Sequence, residues 1–144
     1  MAGSCPFALV ALDHLVLRVH DEAAMTHFYT EVLGCVLERR QAEIGLVQLR
    51  AGRSLIDLVP VDGKLGRAGG TGPAPRLSDG GRNLDHLCLR VEPFDEAAIR
   101  AHLAAHAVAA GETARRYGAE GEGPSIYLED PEGNVVELKG PPVT

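Results

Sequence analysis

Apolar and polar residues alternate in two short segments of the chain that are nearly identical. Residues 12–19 read LDHLVLRV and residues 84–91 read LDHLCLRV, so the two copies differ only at their fifth position. Aliphatic side chains occupy every second position in each copy, which is typical of a strand with one face packed on a core. Because the same unit occurs twice, we predict that the chain is an internal duplication.

Each copy is followed by a segment whose apolar residues have helical spacing. These segments cover residues 21–33 and 95–106, and the first ends before Gly34, a residue type common at helix ends. Asp21 and Asp95 begin them, where a carboxylate can accept a hydrogen bond from a free backbone N–H. The predicted buried residues are Ala23, Ala24, Phe28, Val32 and Leu33 in the first helix and Ala98, Ile99, Leu103 and Ala104 in the second.

Three short apolar runs follow each predicted helix. They cover residues 36–40, 44–50 and 54–59 in the first half and residues 108–117, 125–129 and 134–139 in the second. Each half therefore has the order strand, helix, strand, strand, strand. We predict a single domain over residues 1–144, with module one at about 9–60 and module two at about 83–140, since neither module alone would bury enough apolar surface.

The connector between the modules, at about 61–82, is rich in glycine and proline. Two interpretations of this segment stay open. It either links the modules and covers one edge of the sheet, or it closes over an active site as a lid.

The composition and charge of the chain argue against some classes of function. The chain has 14 basic and 20 acidic residues and a net charge of -6, which argues against binding nucleic acid. It has no long apolar run and no N-terminal signal pattern, so we expect no membrane association and a cytoplasmic location. Cys5, Cys35 and Cys88 form no CxxC pair, which suits a reducing compartment.

Strand alternation places four residues that could bind a metal on one face of the predicted sheet. Leu15, Leu17 and Val19 point toward the helices, so His14 points the other way, and the same parity applies to His86, Asp57 and Glu137. Taken singly, each of the four is more often a hydrogen-bonded structural residue. Together, two imidazoles and one or two carboxylates predict one divalent metal ion: Fe, Mn, Ni, Zn or Co.

Basic residues share this face. Arg18, Arg90 and Lys139 have the same parity as the predicted ligands and could bind an anionic substrate. Alternatively, their head groups reach solvent while the stems pack. Tyr117, which follows two arginines, is a second candidate substrate contact.

These motifs together resemble the vicinal oxygen chelate superfamily, which includes glyoxalase, bleomycin-resistance proteins and extradiol dioxygenases. The resemblance rests on the two LDH-containing strands, on FYxxVLG at residues 28–34 and on DPEGNxxE at residues 130–137. It implies an α+β fold in which two tandem βαβββ modules form a curved mixed sheet around a metal cup. It further implies metal ligands at His14, His86 and Glu137, a homodimer, and in some members a cup completed by two chains.

The resemblance also implies an activity. The metal would stabilise an enediolate or oxyanion of a small, oxygen-rich, anionic substrate, and Asp57 or Glu137 would move the proton, as in a lyase or isomerase. Asp57 stands where glyoxalase has a longer glutamate, so whether it coordinates the metal, orients a water or acts as a base stays open.

Two alternatives remain within the same family. An Fe(II) extradiol-type dioxygenase is indicated by Tyr127, a further substrate-binding candidate, but Gly118-Ala119-Glu120 lies where that signature carries a histidine. A non-catalytic, ligand-sequestering protein of the bleomycin-resistance type is the other alternative. Such proteins generally lack the histidines found here.

Overall fold

The computed structural model describes residues 5–69 and 83–143 as two four-stranded sheets with helices against them. The first half contains β1 (His14–Val19), α1 (Glu22–His27) with a π-helical turn (Phe28–Val32), β2 (Val36–Gln41), β3 (Leu46–Ala51), β4 (Ser54–Pro60) and α2 (Lys64–Arg67). The second half contains β5 (His86–Arg90), α3 (Glu96–Ala105), β6 (Ala114–Gly118), β7 (Gly121–Glu129) and β8 (Val135–Lys139).

The two sheets have the same strand order, β1-β4-β3-β2 and β5-β8-β7-β6. In each, the first strand pairs parallel with the last, and the remaining pairs are antiparallel. A parallel pair requires a crossover connection, which here contains the module's helix. The predicted α+β fold of two tandem βαβββ modules is therefore confirmed.

The predicted strand parity is also confirmed. Leu17 and Val19 are buried while Val16 is exposed, and Leu87 is buried while Cys88 is not. One hydrophobic cluster includes residues of both modules. The aliphatic faces therefore build a shared core, and the opposite faces are left for other contacts.

The first helix buries only part of the predicted set. Phe28 and Val32 are buried as predicted, but Ala23 is exposed, and Met25 and Tyr29, which were not predicted, are buried. Met25, Phe28, Tyr29 and Val32 have the i, i+3, i+4, i+7 spacing of an ordinary helix face, so the prediction chose a face rotated toward Ala23 and Ala24. The two predicted helix ends are confirmed, because Asp21 accepts a hydrogen bond from Ala24 N and Gly34 has φ +81°.

Two other predicted boundaries differ from the structure. The strand predicted at residues 108–117 begins only at Ala114, and before it Ala110 makes a single bridge to Leu128. The connector contains the short helix α2, in which Gly66 is buried against the backbone of Pro60. The rest of the connector, residues 70–82, on which the choice between linker and lid depends, lies outside the described residues.

A turn of module two holds the start of module one's helix. Glu132 accepts hydrogen bonds of 2.8–2.9 Å from the backbone N–H groups of His20 and Asp21. The Tyr29 hydroxyl donates to Asp130 at 2.8 Å. Because these carboxylates follow β7 while their donors follow β1, the two modules are joined by polar contacts as well as by the core, and the Tyr29–Asp130 contact is buried.

None of the helices within residues 5–69 and 83–143 has the length and the hydropathy needed to cross a membrane.

We expect Tyr29→Phe to lower the free energy of unfolding by about 1–2 kcal/mol, because it leaves a buried carboxylate with one donor fewer. Urea unfolding followed by circular dichroism measures the change. Tyr117→Phe is the matched control, because this side chain is 81% exposed and its loss of a hydroxyl should change stability by less than about 0.5 kcal/mol. Equal stability of the two variants would show that the Tyr29–Asp130 contact does not join the modules.

Candidate metal centre

Module two brings a histidine and a glutamate together on the face away from its helix. The pairing of β5 with β8 sets Cys88 beside Glu137, and His86 lies two residues earlier on the same face. His86 Nε2 is 3.5 Å from Glu137 Oε1, and the Glu137 carboxylate is buried. A nitrogen and a carboxylate oxygen therefore face each other in a position to share one bound cation.

Tyr127, a predicted substrate contact, instead supports this pair. Its hydroxyl is hydrogen-bonded to the Glu137 carboxylate, and this bond is the main cause that raises the pKa of Tyr127. Its ring lies edge-on to the His86 ring at 5.4 Å between centroids, and the Arg116 guanidinium lies 4.4 Å from the Tyr127 ring. Tyr127 therefore holds both predicted ligands in place.

Cys88 also contacts the Glu137 carboxylate, a contact that the strand pattern alone did not identify. Partial burial raises the pKa of its thiol to about 11, and the hydrogen bond and charge of Glu137 act in the same direction. The thiol thus stays protonated at neutral pH.

Module one contains the equivalent pair, His14 and Asp57. The register of β1 with β4 sets Val16 beside Asp57, so His14 again lies two residues before the position that pairs with the carboxylate. Asp57 is 4% exposed, and its charge contributes to raising the pKa of His14. Gln48 of β3 donates two long hydrogen bonds to it, at 3.3 and 3.4 Å.

Each histidine has one ring nitrogen held by the aspartate that precedes it. His14 Nδ1 is 2.7 Å from Asp13 Oδ2, and His86 Nδ1 is 2.6 Å from Asp85 Oδ1. The Asp13 contact is the main cause that raises the pKa of His14. A carboxylate on Nδ1 orients many metal-binding imidazoles and leaves Nε2 to the ion. Neither aspartate was among the predicted site residues, although both copies of the LDH motif contain one.

The four ligand candidates form two separate pairs within one chain. In residues 5–69 and 83–143 no group of three or more His, Cys, Asp or Glu side chains is close enough to hold a metal. The structure thus brings His86 to Glu137 and His14 to Asp57, and the predicted trio does not assemble inside a single chain.

The predicted basic contacts have different surroundings. Arg18 donates to the Gly66 carbonyl at 3.0 Å, which ties β1 to α2. Arg90 donates to Glu120 at 2.8 Å, an ion pair at the β6–β7 turn. Tyr117, which is largely exposed, lines a cavity of about 290 Å³ together with Arg90, Lys139 and the His86–Glu137 pair.

The chain belongs to the Glyoxalase/Bleomycin resistance protein/Dioxygenase superfamily, whose profile matches residues 11–138. The resemblance seen in the motifs is thereby confirmed. This family contains lyases, dioxygenases and antibiotic-resistance proteins, so membership defines the fold and the location of the cup and leaves the reaction open.

Individual relatives illustrate that range. Virulence protein STM3117 of Salmonella typhimurium is 31% identical over 133 residues, covering 88% of this chain and 81% of that protein. An integron cassette protein of V. cholerae superposes with a TM-score of 0.70 at 26% identity, covering 93% of this chain and 97% of that one. Lactoylglutathione lyase of Agrobacterium tumefaciens superposes with a TM-score of 0.63 at 25% identity, covering 90% and 92%.

Two buried carboxylates allow a test of whether Asp57 is there for stability. Asp57 and Asp130 are each 4% exposed. Among the described residues, Asp130 accepts four hydrogen bonds of 2.7–3.0 Å, whereas Asp57 accepts only the two long ones from Gln48. In metal-free protein we expect Asp57→Asn to leave the free energy of unfolding unchanged or raise it by about 1 kcal/mol, because it removes a poorly compensated buried charge.

Asp130→Asn is the matched variant, and we expect it to lose about 2 kcal/mol or more, since its donors are left without a charged acceptor. Urea unfolding in the presence of a chelator measures both. A loss in Asp57→Asn as large as that in Asp130→Asn would mean that Asp57 is a structural residue.

Proposed function

We propose that this protein is a homodimeric, divalent-metal-dependent enzyme of the glyoxalase type, a lyase or isomerase that moves a proton next to a carbonyl of a small substrate. One observation carries the proposal: each module presents a histidine and a carboxylate at equivalent strand positions, with each histidine's Nδ1 held by the preceding aspartate.

The donor atoms fit a divalent cation. Two imidazole nitrogens and two carboxylates are a borderline-to-hard set that suits Fe, Mn, Ni, Zn or Co. Both carboxylates, on Asp57 and Glu137, are buried, and neither has a Lys or Arg ion-pair partner among the described residues, so a cation would compensate their charge. When bound, the ion would act as a Lewis acid that stabilises negative charge on neighbouring substrate oxygens.

Assembly across two chains would unite the pairs. His14 and Asp57 of one copy would then face His86 and Glu137 of a second copy. The segment before β1 supports this arrangement, because Leu9 and Val10 are more than 90% exposed and Phe7 and Leu12 are also largely exposed, although all are apolar. An apolar segment that leads directly to His14 is suited to packing on another subunit.

The residues around the metal centre would then have different roles in binding and catalysis. Glu137 would hold the ion while Tyr127 fixes its carboxylate by a hydrogen bond and fixes the His86 ring by an edge contact. Asp57 would accept the proton from the substrate carbon and return it, since its carboxylate is tied only by the two long bonds from Gln48.

An Fe(II) extradiol-type dioxygenase is the second candidate, favoured by the two-histidine, one-carboxylate set and by the place of Tyr127 beside it. Against it, Gly118, Ala119 and Glu120 lie at the β6–β7 turn, so the place of the expected histidine has no imidazole. Ligand sequestration without metal is the third.

Complementation tests the shared centre. His14→Ala and Glu137→Ala homodimers should each bind metal weakly, but a mixed dimer of the two variants would regain about one intact site, formed by the unaltered module of each chain. Co(II) absorption and metal content after unfolding and refolding the two variants together measure this. If each site lay within one chain, mixing would restore nothing.

The reaction class has its own test. With metal-loaded protein in D₂O, we expect deuterium exchange next to the carbonyl of a 2-hydroxy ketone or 2-oxo acid, followed by NMR. Asp57→Asn should slow this exchange by about 10²-fold or more while metal content stays near that of the wild type. Oxygen uptake with catechols by the Fe(II) form, without exchange, would favour the dioxygenase, and purified protein that binds no metal would favour sequestration.

A further inference from the structure

Lys139 is a buried cation without a carboxylate partner. It lies on β8 two residues after Glu137, on the same face, and is 6% exposed. Its Nζ donates to the Gly121 carbonyl at 3.0 Å, and in the part of the chain that the structure describes no carboxylate forms an ion pair with it. A buried ammonium group without a counter-charge is costly, so its position needs a reason.

The β6–β7 hairpin is shaped around this side chain. A Cβ added to Gly118 would lie 2.7 Å from Lys139 Cε, and one added to Gly123 would lie 3.1 Å from Lys139 Nζ. Two glycines on facing strands thus leave the space through which the lysine stem runs. The hairpin therefore holds the ammonium group in place. An ordinary surface lysine, by contrast, extends freely into solvent.

The other basic candidates on the same faces are already engaged. Arg90 is paired with Glu120 at 2.8 Å and lies 3.7 Å from Glu92. Arg18 is tied to the α2 backbone. Lys139 is therefore the predicted basic contact whose charge is left uncompensated.

Lys139 lines the cavity of about 290 Å³ that also contains His86 and Glu137. A small molecule in this cavity can reach the ammonium group with one end and the His86–Glu137 pair with the other. Glu120, the further acidic group in the lining, is neutralised by Arg90. Within the described residues, the lining thus contains one ammonium group without an ion-pair partner, two residues along β8 from the Glu137 carboxylate that a bound cation would neutralise.

We propose that Lys139 is an anion subsite that binds a carboxylate or phosphate group of the substrate, which makes the substrate a small organic acid. The substrate part of this inference rests on the proposed function. The anion site itself does not depend on bound metal, because the lysine is positioned by the hairpin.

The test is a titration of chelator-treated protein with succinate and with inorganic phosphate, followed by isothermal calorimetry. We expect saturable binding of at least one anion, and Lys139→Met should raise its Kd by about tenfold or more, since a charge-assisted hydrogen bond is lost. The preferred anion identifies the group. Lys64→Met, at an exposed lysine on α2, is the matched control and should bind as the wild type does.

Gly118→Ala gives a second route that retains the lysine. The new methyl group displaces the Lys139 stem, so we expect it to weaken anion binding several-fold with little change in urea unfolding. Absence of saturable binding by the wild type, or equal Kd values for wild type and Lys139→Met, would overturn the inference.

Uptake of Co(II) added back to the same chelator-treated protein is measured separately and distinguishes the two hypotheses. Anion binding that depends on Lys139 in a protein that takes up no metal would support the subsite and contradict the metal-dependent function. Metal uptake without anion binding would support the metal-dependent function and contradict the anion subsite.

Discussion

The parallel pairing of the first strand of each module with its last strand is the constraint on which the rest of the structure depends. It sets Val16 beside Asp57 and Cys88 beside Glu137, with a histidine two residues earlier in both cases. The chemistry of each module needs residues more than 40 positions apart in the chain, and this pairing brings them to one face. The helix between them fills the opposite face, so polar groups and core separate cleanly.

The contact between the modules adds a second constraint. The turn after β7 supplies Asp130 and Glu132, which hold Tyr29 and the backbone after β1. This contact joins module two to the helix side of module one. In the proposed dimer, a two-fold axis would bring unlike modules of two copies together.

The two histidine–carboxylate pairs occupy equivalent strand positions but have different neighbouring side chains. Glu137 has Tyr127, Cys88 and His86 around it, whereas Asp57 has Gln48 and the more exposed His14. The positions are equivalent, but the neighbours hold Glu137 by more contacts than Asp57, which is why the proposed function assigns proton transfer to Asp57. Lys139 adds a further asymmetry, because module one has Val59 at the equivalent strand position.

Much of this was determined by the sequence itself. The repeated LDH strand established the duplication, the alternation of residues identified the core face, and Asp21, Asp95 and Gly34 marked helix ends. These features are local, since a strand's parity and a helix cap depend on neighbouring residues alone. The face of the first helix was misjudged because Ala23 and Ala24 offered a competing apolar stripe, whereas the structure buries the larger Met25 and Tyr29.

Only the tertiary structure decided which candidates meet. It tied Arg18 to the Gly66 carbonyl, paired Arg90 with Glu120, turned Tyr127 toward Glu137 and left Lys139 without a carboxylate partner among the described residues. Among the described residues it also brought no three of the potential ligands together, although His14 and His86 lie on faces of the same parity. Parity fixes the direction of a side chain relative to its own sheet, whereas the distance between two side chains depends on how the sheets and turns pack.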